Sequence, residues 1–449
     1  MPDGFDVLVI GSGAAGSTCA RRLVRAGVSV ALAEAGRWGG TCLWTGCMPK
    51  KSLYHSARAV DEVRKSDEFG AGCSDTEPDW TTALAWKWHS QETYAGDQHA
   101  ILSDQGIQLI EGSAVFVAPR TVRIAETTYT PEHVVIATGS RPVVPQVDGR
   151  ELLDTSDDAL HYAEIPERLL ILGAGFIAFE LAGIFAAFGS EVTLATHGDR
   201  YLSPLAPELS EVATARMRTM GVHFSPRTEL LGLSGERGAI SATLRGPDGA
   251  VTSMFSRVIA AIGRRPDMSQ LGLEAAGVDT NSDGSLKLDE SLRTTDAHVW
   301  AAGDAAGGLM HTPVARLQGA TVASSIATGT PQVPDLSTMA TTCFAVPQLA
   351  SVGVSLERSQ ELGLATHANH FSFDTLAAAI IEDERDGFVR LVVEDATGRI
   401  LGAQMAGPTA CDCIAIPAAA MAAGMTAEQF GKVVGVHPSF GEAWSYVAY

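Results

Sequence analysis

One pattern occurs twice in this sequence, and it limits the fold before anything else is considered. Phe5 to Ile10 is a short apolar run that meets Gly11-Ser-Gly13-Ala14-Ala15-Gly16. A periodic stretch to Ala26 follows, then Gly27 and a second apolar run, Val28 to Ala33. That order reads strand, tight turn, helix, strand, the opening of a parallel α/β domain. The second copy begins at Arg168–Leu172 and passes through Gly173-Ala-Gly175-Phe176-Ile177-Ala178. It continues as a helix to Phe188, Gly189 and a strand from Glu191 to Ala195. One Gly-x-Gly alone is often only a surface turn. Two copies in full context point to two dinucleotide-binding units.

Three further apolar strands run into glycine turns: Val134 to Ser140 through Thr138-Gly139, Val258 to Gly263, and Val299 to Asp304 through Gly303. Such turns place backbone at the carboxyl edge of a sheet, where ligands sit. Gly232 to Gly249 reads as turn-rich antiparallel structure, and Thr328 to Pro334 as a linker. Beyond it, Phe388–Glu394 and Ile400–Met405 read as strands and Ile414–Ala423 as a helix, with no further strand-glycine-helix unit. Residues from about 334 are therefore expected to form a different domain.

The two glycine turns carry different ribose readers. Glu34 lies 23 residues after Gly11, at the end of the second strand. A carboxylate there binds both hydroxyls of an adenosine ribose and repels a 2'-phosphate. The equivalent position after Gly173 is Thr196, followed by His197 and Arg200. Loss of the acid, with groups able to meet a phosphate, favours NADPH, although a neutral threonine also admits NADH.

The most specific segment is Gly39-Gly40-Thr41-Cys42-Leu-Trp44-Thr-Gly-Cys47-Met-Pro49-Lys50-Lys51. It reads as a loop entering a helix, with Pro49 tolerated in the first turn. A helix start stabilises a thiolate at Cys47, and Lys50 and Lys51 add to that field. The pair can bridge if the turn is irregular. The alternative is coincidence or half a metal site, but zinc wants closer pairs and two further ligands. Cys411-x-Cys413 has neither that spacing nor a turn around it and reads as two core or loop cysteines. No metal is expected.

Composition sets the outer limits. The 449 residues are 46% apolar and 19% charged, which excludes a disordered chain and calls for two or three domains. A formal net charge of -20 argues against nucleic acid or an anionic membrane as partner. Seven cysteines without dense spacing do not make a secreted disulfide framework. No basic segment precedes the first strand, and no apolar run reaches the ~20 residues of a membrane span. A cytoplasmic protein is expected.

With these motifs assembled, the chain resembles the pyridine nucleotide-disulfide oxidoreductases of the glutathione reductase and dihydrolipoamide dehydrogenase type over essentially its whole length. The cysteine segment, Ala137-Thr138-Gly139-Ser-Arg-Pro142, Ala261-Ile-Gly263-Arg-Arg-Pro266, Ala302-Gly303-Asp304 and Val436-His437-Pro438-Ser-Phe-Gly-Glu442 follow the family order. The resemblance implies an α/β fold with two dinucleotide-binding (Rossmann-like) domains and a C-terminal α+β interface domain. The expected division is 1–148 and 265–333 for FAD, 149–264 for NAD(P), and 334–449 for dimerisation. It implies a homodimer acting on a small disulfide or dithiol with FAD and NADPH or NADH. Cys47 would lie next to the flavin, and Cys42 would attack the substrate disulfide. Glu34 would bind the FAD ribose, and Asp304 the flavin side. Gly11, Gly13, Ala14, Ala15, Gly16, Gly40, Thr41, Thr138, Gly139 and Gly303 would line that site. Gly173, Gly175, Phe176, Ile177, His197, Arg200 and Gly263 would serve the nicotinamide nucleotide. Lys50 or Lys51 would pair with Glu180 beside the flavin. His437, oriented by Glu442, would be the acid/base for the other subunit's active site, and His437-Pro438 is a candidate cis bond.

Several positions depart from the family. Phe176 stands where a gating tyrosine is usual, and Trp44 where a small or polar residue is. Arg21 matches a glutathione-contacting arginine, but Gln98 and Ala320 replace a tyrosine and an arginine of glutathione reductases. The C-terminal cysteines of mercuric reductases do not precede Tyr449, so mercury reduction is not expected. The leading expectation is an NADPH-dependent reductase of a low-molecular-weight disulfide. The alternatives are an NAD-dependent dihydrolipoyl dehydrogenase, a quinone or metal-ion reductase, and a non-catalytic flavoprotein scaffold. Retention of Cys42, Cys47, His437 and Glu442 together speaks against the last.

Overall fold

A computed structural model of the chain describes residues 4–448. It resolves into two compact units, and the chain passes between them at Ser52–Leu53, Leu84–Ala85, Val143–Val144, Ile262–Gly263 and Leu336–Ser337.

The first unit is built on a five-stranded sheet in the order Val299–Ala301, His133–Ile136, Val7–Ile10, Val30–Glu34, Gln108–Glu111. Every pairing in it is parallel. Val7, Leu8, Val9 and Ile10 are all buried, as expected for a strand covered on both faces. Val7 and Val9 pack with Leu23, Cys19 and Val322, from the helices Ala14–Arg25 and Thr312–Thr328. Leu8 and Ile10 pack with Phe116, Val122 and Ile124, from a three-stranded antiparallel sheet. The period-2 alternation of the strand thus divides one apolar run between two cores. Ser140–Pro142 pairs antiparallel with Arg264–Pro266, joining two separate chain segments of the unit.

The second unit holds another five-stranded parallel sheet, ordered His223–Ser225, Glu191–Ala195, Arg168–Leu172, Arg257–Ala260, Leu153–Thr155. The helix Phe176–Ala187 that follows its glycine turn is buried almost throughout. Apart from Glu180 it is apolar all round, as such a position requires. The segment read as turn-rich is a three-stranded antiparallel sheet, Glu229–Glu236, Ala239–Gly246 and Gly249–Phe255. A third, antiparallel sheet runs Thr341–Cys343, Gln348–Gly353, Ile400–Gly407, Phe388–Glu394, Thr366–Ser372. The helix expected over Ile414–Ala423 is present as Ala415–Ala422, directly after the short helix Ala410–Cys413. Cys411 Sγ lies 3.8 Å from the carbonyls of Cys343 and Leu349, a packed position rather than a ligand set.

Candidate active site

The first glycine turn is as tight as backbone allows. Gly11 has φ +105, and a Cβ there would stand 2.3 Å from the Ala137 carbonyl oxygen. A Cβ on Gly16 would fall 1.9 Å from the Gly11 oxygen. Only hydrogen fits at either position. The helix Ala14–Arg25 starts at Gly13 with no side-chain cap and no acid in its first turn. Its leading N–H groups and positive end are therefore left to an outside anion. Glu34 closes the adjacent strand: Oε2 accepts from the Ser12 amide at 2.9 Å and Ser12 Oγ at 2.6 Å, and Oε1 from the Gly36 amide at 2.8 Å. Asp304 Oδ2 accepts from Ser140 Oγ at 2.6 Å, and Gln318 Oε1 accepts from the Gly303 amide at 2.8 Å. Thr138 Oγ1 donates to the Asp267 carbonyl at 3.1 Å. This uncapped helix start, the bare glycine turn and the two fixed carboxylates fit a dinucleotide such as FAD.

The cysteine segment rests on that turn. A Cβ on Gly40 (φ +68) would meet the Gly13 Cα at 2.7 Å, so two glycine backbones touch. Cys42 lies in the short helix Gly40–Trp44, the chain breaks at Thr45-Gly46, and Cys47 is the first residue of the helix Cys47–Arg64. The break brings the two sulfurs into contact. Hydrogen bonding to Cys47, followed by burial, pushes the Cys42 thiol far above its ordinary pKa, and Thr312 and Arg316 act against this. Cys47 Sγ lies 3.1 Å from Thr312 Oγ1. Gln91, fully buried, donates Nε2 to the carbonyls of Leu43 and Trp44 at 2.8 and 3.2 Å and so holds the segment from behind. Trp44 donates to the Trp38 carbonyl at 2.9 Å, and the Arg37 guanidinium stacks 3.4 Å from its ring centroid. Lys50 is half-buried, and Thr41 and Lys51 are exposed.

In the second unit the glycine turn repeats the geometry. Gly173 has φ +141 and would place a Cβ 2.3 Å from the Ala261 oxygen, while Gly175 faces open space. The helix from Phe176 again has no side-chain cap and no acid in its first turn. Thr196 follows the strand Glu191–Ala195, with His197 and Arg200 exposed beyond it. Arg200 donates to the Leu205 carbonyl at 3.3 Å. The buried Glu180 accepts from the Phe344 amide at 2.9 Å.

His437 also belongs to the second unit, and the His437–Pro438 bond is cis. Its Nδ1 lies 3.0 Å from Glu442 Oε2. The imidazole is 67% exposed, whereas the carboxylate is 5% exposed. Glu442 also accepts from the Ser439 amide and the Tyr446 hydroxyl, each at 3.3 Å. An acceptor so fixed selects the tautomer with the proton on Nδ1 and leaves Nε2 outward. Val434 and Val436, before the histidine, are 93% and 77% exposed.

Two family models cover nearly the whole chain. Residues 5–319 match the pyridine nucleotide-disulphide oxidoreductase model, and residues 339–448 match the dimerisation domain of the same family. The chain belongs to this family. It is 30% identical over 442 residues to a dihydrolipoyl dehydrogenase of Geobacillus stearothermophilus, covering 97% of this chain and 94% of the relative. It is 31% identical to a glutathione reductase of Burkholderia cepacia (98% and 97% covered) and 33% identical to a mercuric reductase of Streptomyces lividans (99% and 96% covered). It is thus a flavin-dependent pyridine nucleotide-disulfide oxidoreductase, and its dimerisation domain implies a homodimer. Among the described residues no helix is long and apolar enough to cross a membrane.

Sequence reasoning overlooked five contributors. Ser12 was legible, since it sits inside the glycine turn. Thr312 and Gln318 lie on a helix about 300 residues from that turn in sequence, and only the fold brings them near. Gln91 carried no local signal. In the second unit the exposed Arg227 is fixed by its amide to the Gly198 carbonyl at 2.8 Å, which adds a second arginine beside the Thr196 loop.

Proposed function

We propose that this enzyme is an NADPH-dependent reductase of a low-molecular-weight disulfide, working through Cys42 and Cys47. The observation that carries the proposal is the contact of the two sulfurs at the start of a helix, on the same turn that offers uncapped amides to a dinucleotide. In this reading, residues up to about 148 and 265–333 hold FAD, 149–264 hold the nicotinamide nucleotide, and 334–449 form the dimer interface. Bound FAD supplies two-electron transfer from the nicotinamide to the cysteine pair.

The remaining chemistry is the chain's own. Cys42 attacks one sulfur of the substrate, R–S–S–R, forming a mixed disulfide and expelling RS⁻. The partner subunit's His437, protonated, gives that thiolate its proton. Cys47, at the positive end of its helix, then attacks Cys42 Sγ, closing the Cys42–Cys47 disulfide and releasing the second thiolate. Glu442 keeps the His437 ring oriented through Nδ1. Lys50 or Lys51 serves as the lysine beside the flavin. Arg200, His197 and Arg227 beside a neutral Thr196 favour a 2'-phosphate, the reason for choosing NADPH. A cytoplasmic location is part of the same reading, in keeping with the cysteine usage.

A second reading is NAD-dependent dihydrolipoyl dehydrogenase. It is favoured by the names of several of the relatives, including the Geobacillus stearothermophilus and Bacillus subtilis enzymes. Anaerobic titration with NADPH and NADH separately, followed by a panel of oxidised glutathione, lipoamide, other disulfides and quinones, distinguishes the readings. The proposal expects NADPH to produce long-wavelength thiolate–flavin absorbance and to turn over a small disulfide. Efficient reduction only by NADH, with lipoamide as the preferred substrate, would reverse it.

A further inference from the structure

The amino-terminal edge of the first unit's parallel sheet carries a group of side chains that the redox chemistry does not use. The strands His133–Ile136 and Val299–Ala301 are paired so that Val134 faces Val299. One residue earlier on each, His133 and His298 therefore meet, with ring centroids 5.0 Å apart. Glu132 stands beside them, its Oε1 3.9 Å from His133 Nε2. One ligand-capable atom from each of the three lies within 4.8 Å of the others. His298 Nδ1 is enclosed yet makes no hydrogen bond among the described residues. A buried nitrogen without a protein partner is suited to an outside ligand. His133 Nδ1 accepts the Trp300 indole N–H at 3.4 Å, which leaves Nε2 as the ring nitrogen that faces Glu132.

We propose that Glu132, His133 and His298 form a binding site for a d-block divalent cation, zinc in the first instance. Two imidazoles and a carboxylate are a donor set that zinc takes, with water in the fourth position. Tetrahedral coordination at about 2.0–2.2 Å places ligand atoms roughly 3.4 Å apart. The present spacing must therefore contract, and Glu132, whose side chain is 65% exposed, is free to swing inward. The flavin-side turns at Gly11, Gly139 and Gly303 follow the carboxyl ends of the same strands, roughly 10 Å or more away at ~3.3 Å per residue. The cation is thus a staple rather than a catalyst. It ties the chain segment containing His133 to the distant segment containing His298 and stabilises the unit by binding only its folded form. The expectation of no metal came from cysteine spacing. Two histidines this far apart in sequence meet only through parallel strand pairing.

The test uses metal-stripped holoenzyme with Cys42 and Cys47 held as the disulfide, so that the dithiol does not compete. Calorimetry with Zn²⁺ is expected to give one saturable equivalent per chain. Co²⁺ is expected to show d–d absorption without a thiolate charge-transfer band, and zinc to raise the thermal midpoint. His298→Ala and His133→Gln are expected to weaken binding by more than the ~10–100-fold that loss of an outer contact costs. Should either fail to fold, as judged by flavin content and circular dichroism, Glu132→Ala on an exposed side chain serves instead. Unchanged zinc affinity in a folded variant, or no saturable binding at submillimolar zinc by the parent, overturns the proposal.

Discussion

Lys87 shows how one side chain can oppose the fold that holds it. It has no exposed surface, and its Nζ lies 3.9 Å from the Trp88 ring centroid. Burial pulls its ammonium down to about 8. A lysine in the unfolded chain titrates near 10.4. Below pH 8 both states hold the proton and the folded state carries the full penalty. Between about 8 and 10 the unfolded state binds more protons, so this contribution to stability rises with pH. Lys87→Met has no group to titrate there, so raising the pH from 7 to 10 is expected to stabilise the parent relative to the variant by about 1–2 kcal/mol. Denaturant melts of both proteins at pH 7 and pH 10 check this; a constant difference would assign the effect to packing. At His437, replacement by Gln should lower kcat for disulfide reduction by ~10²–10⁴. Glu442→Gln keeps the capping contacts with Ser439 but removes the charge, so it should cost less, with little loss of stability. Arg200→Ala should raise KM for NADPH about tenfold and leave KM for NADH unchanged, the value of one charge-assisted contact.

At the scale of elements, the close crossing of the helices Ala14–Arg25 and Thr312–Thr328 sets the position of the dinucleotide turn. Gly319 is buried in the second of these, and a Cβ there would fall 2.3 Å from the Ala15 carbonyl oxygen. In an isolated helix Gly→Ala gains about 1 kcal/mol. Here the contact is with backbone, which cannot rotate away, and overpacking costs about 1–3 kcal/mol. The clash therefore wins. Gly319→Ala should destabilise the protein and weaken flavin retention, because Ala14 to Gly16 must shift with the helix. Flavin release during a denaturant titration checks both, and a more stable variant would show that the helices separate without loss.

For the whole molecule, the decisive question is whether His437 serves a neighbouring chain. Its ring is exposed, it follows exposed valines, and it lies in a dimerisation domain. Cys42→Ser and His437→Gln should each be inactive as homodimers. After unfolding and refolding together in equal amounts, half the dimers are mixed. One of the two sites in each mixed dimer then combines an intact cysteine pair with an intact histidine. Activity should return to about a quarter of the parent value for a two-fold symmetric dimer. No recovery, with mixed dimers demonstrated by mass, would place the histidine in its own chain's site.

Local order was legible because it is written in short-range terms. Glycines at Gly11, Gly16 and Gly173 mark backbone that no Cβ can enter, apolar runs of four or five residues mark strands buried on both faces, and Cys42 and Cys47 sit in one continuous segment. Family membership followed from the order of those segments. What the tertiary structure alone decided are the meetings between distant parts of the chain. Thr312 reaches the Cys47 sulfur, Gln91 supports the carbonyls of Leu43 and Trp44, and His133 lies against His298. None of these has a local signature, because parallel sheets pair strands through long crossovers and sequence distance ceases to measure separation in space.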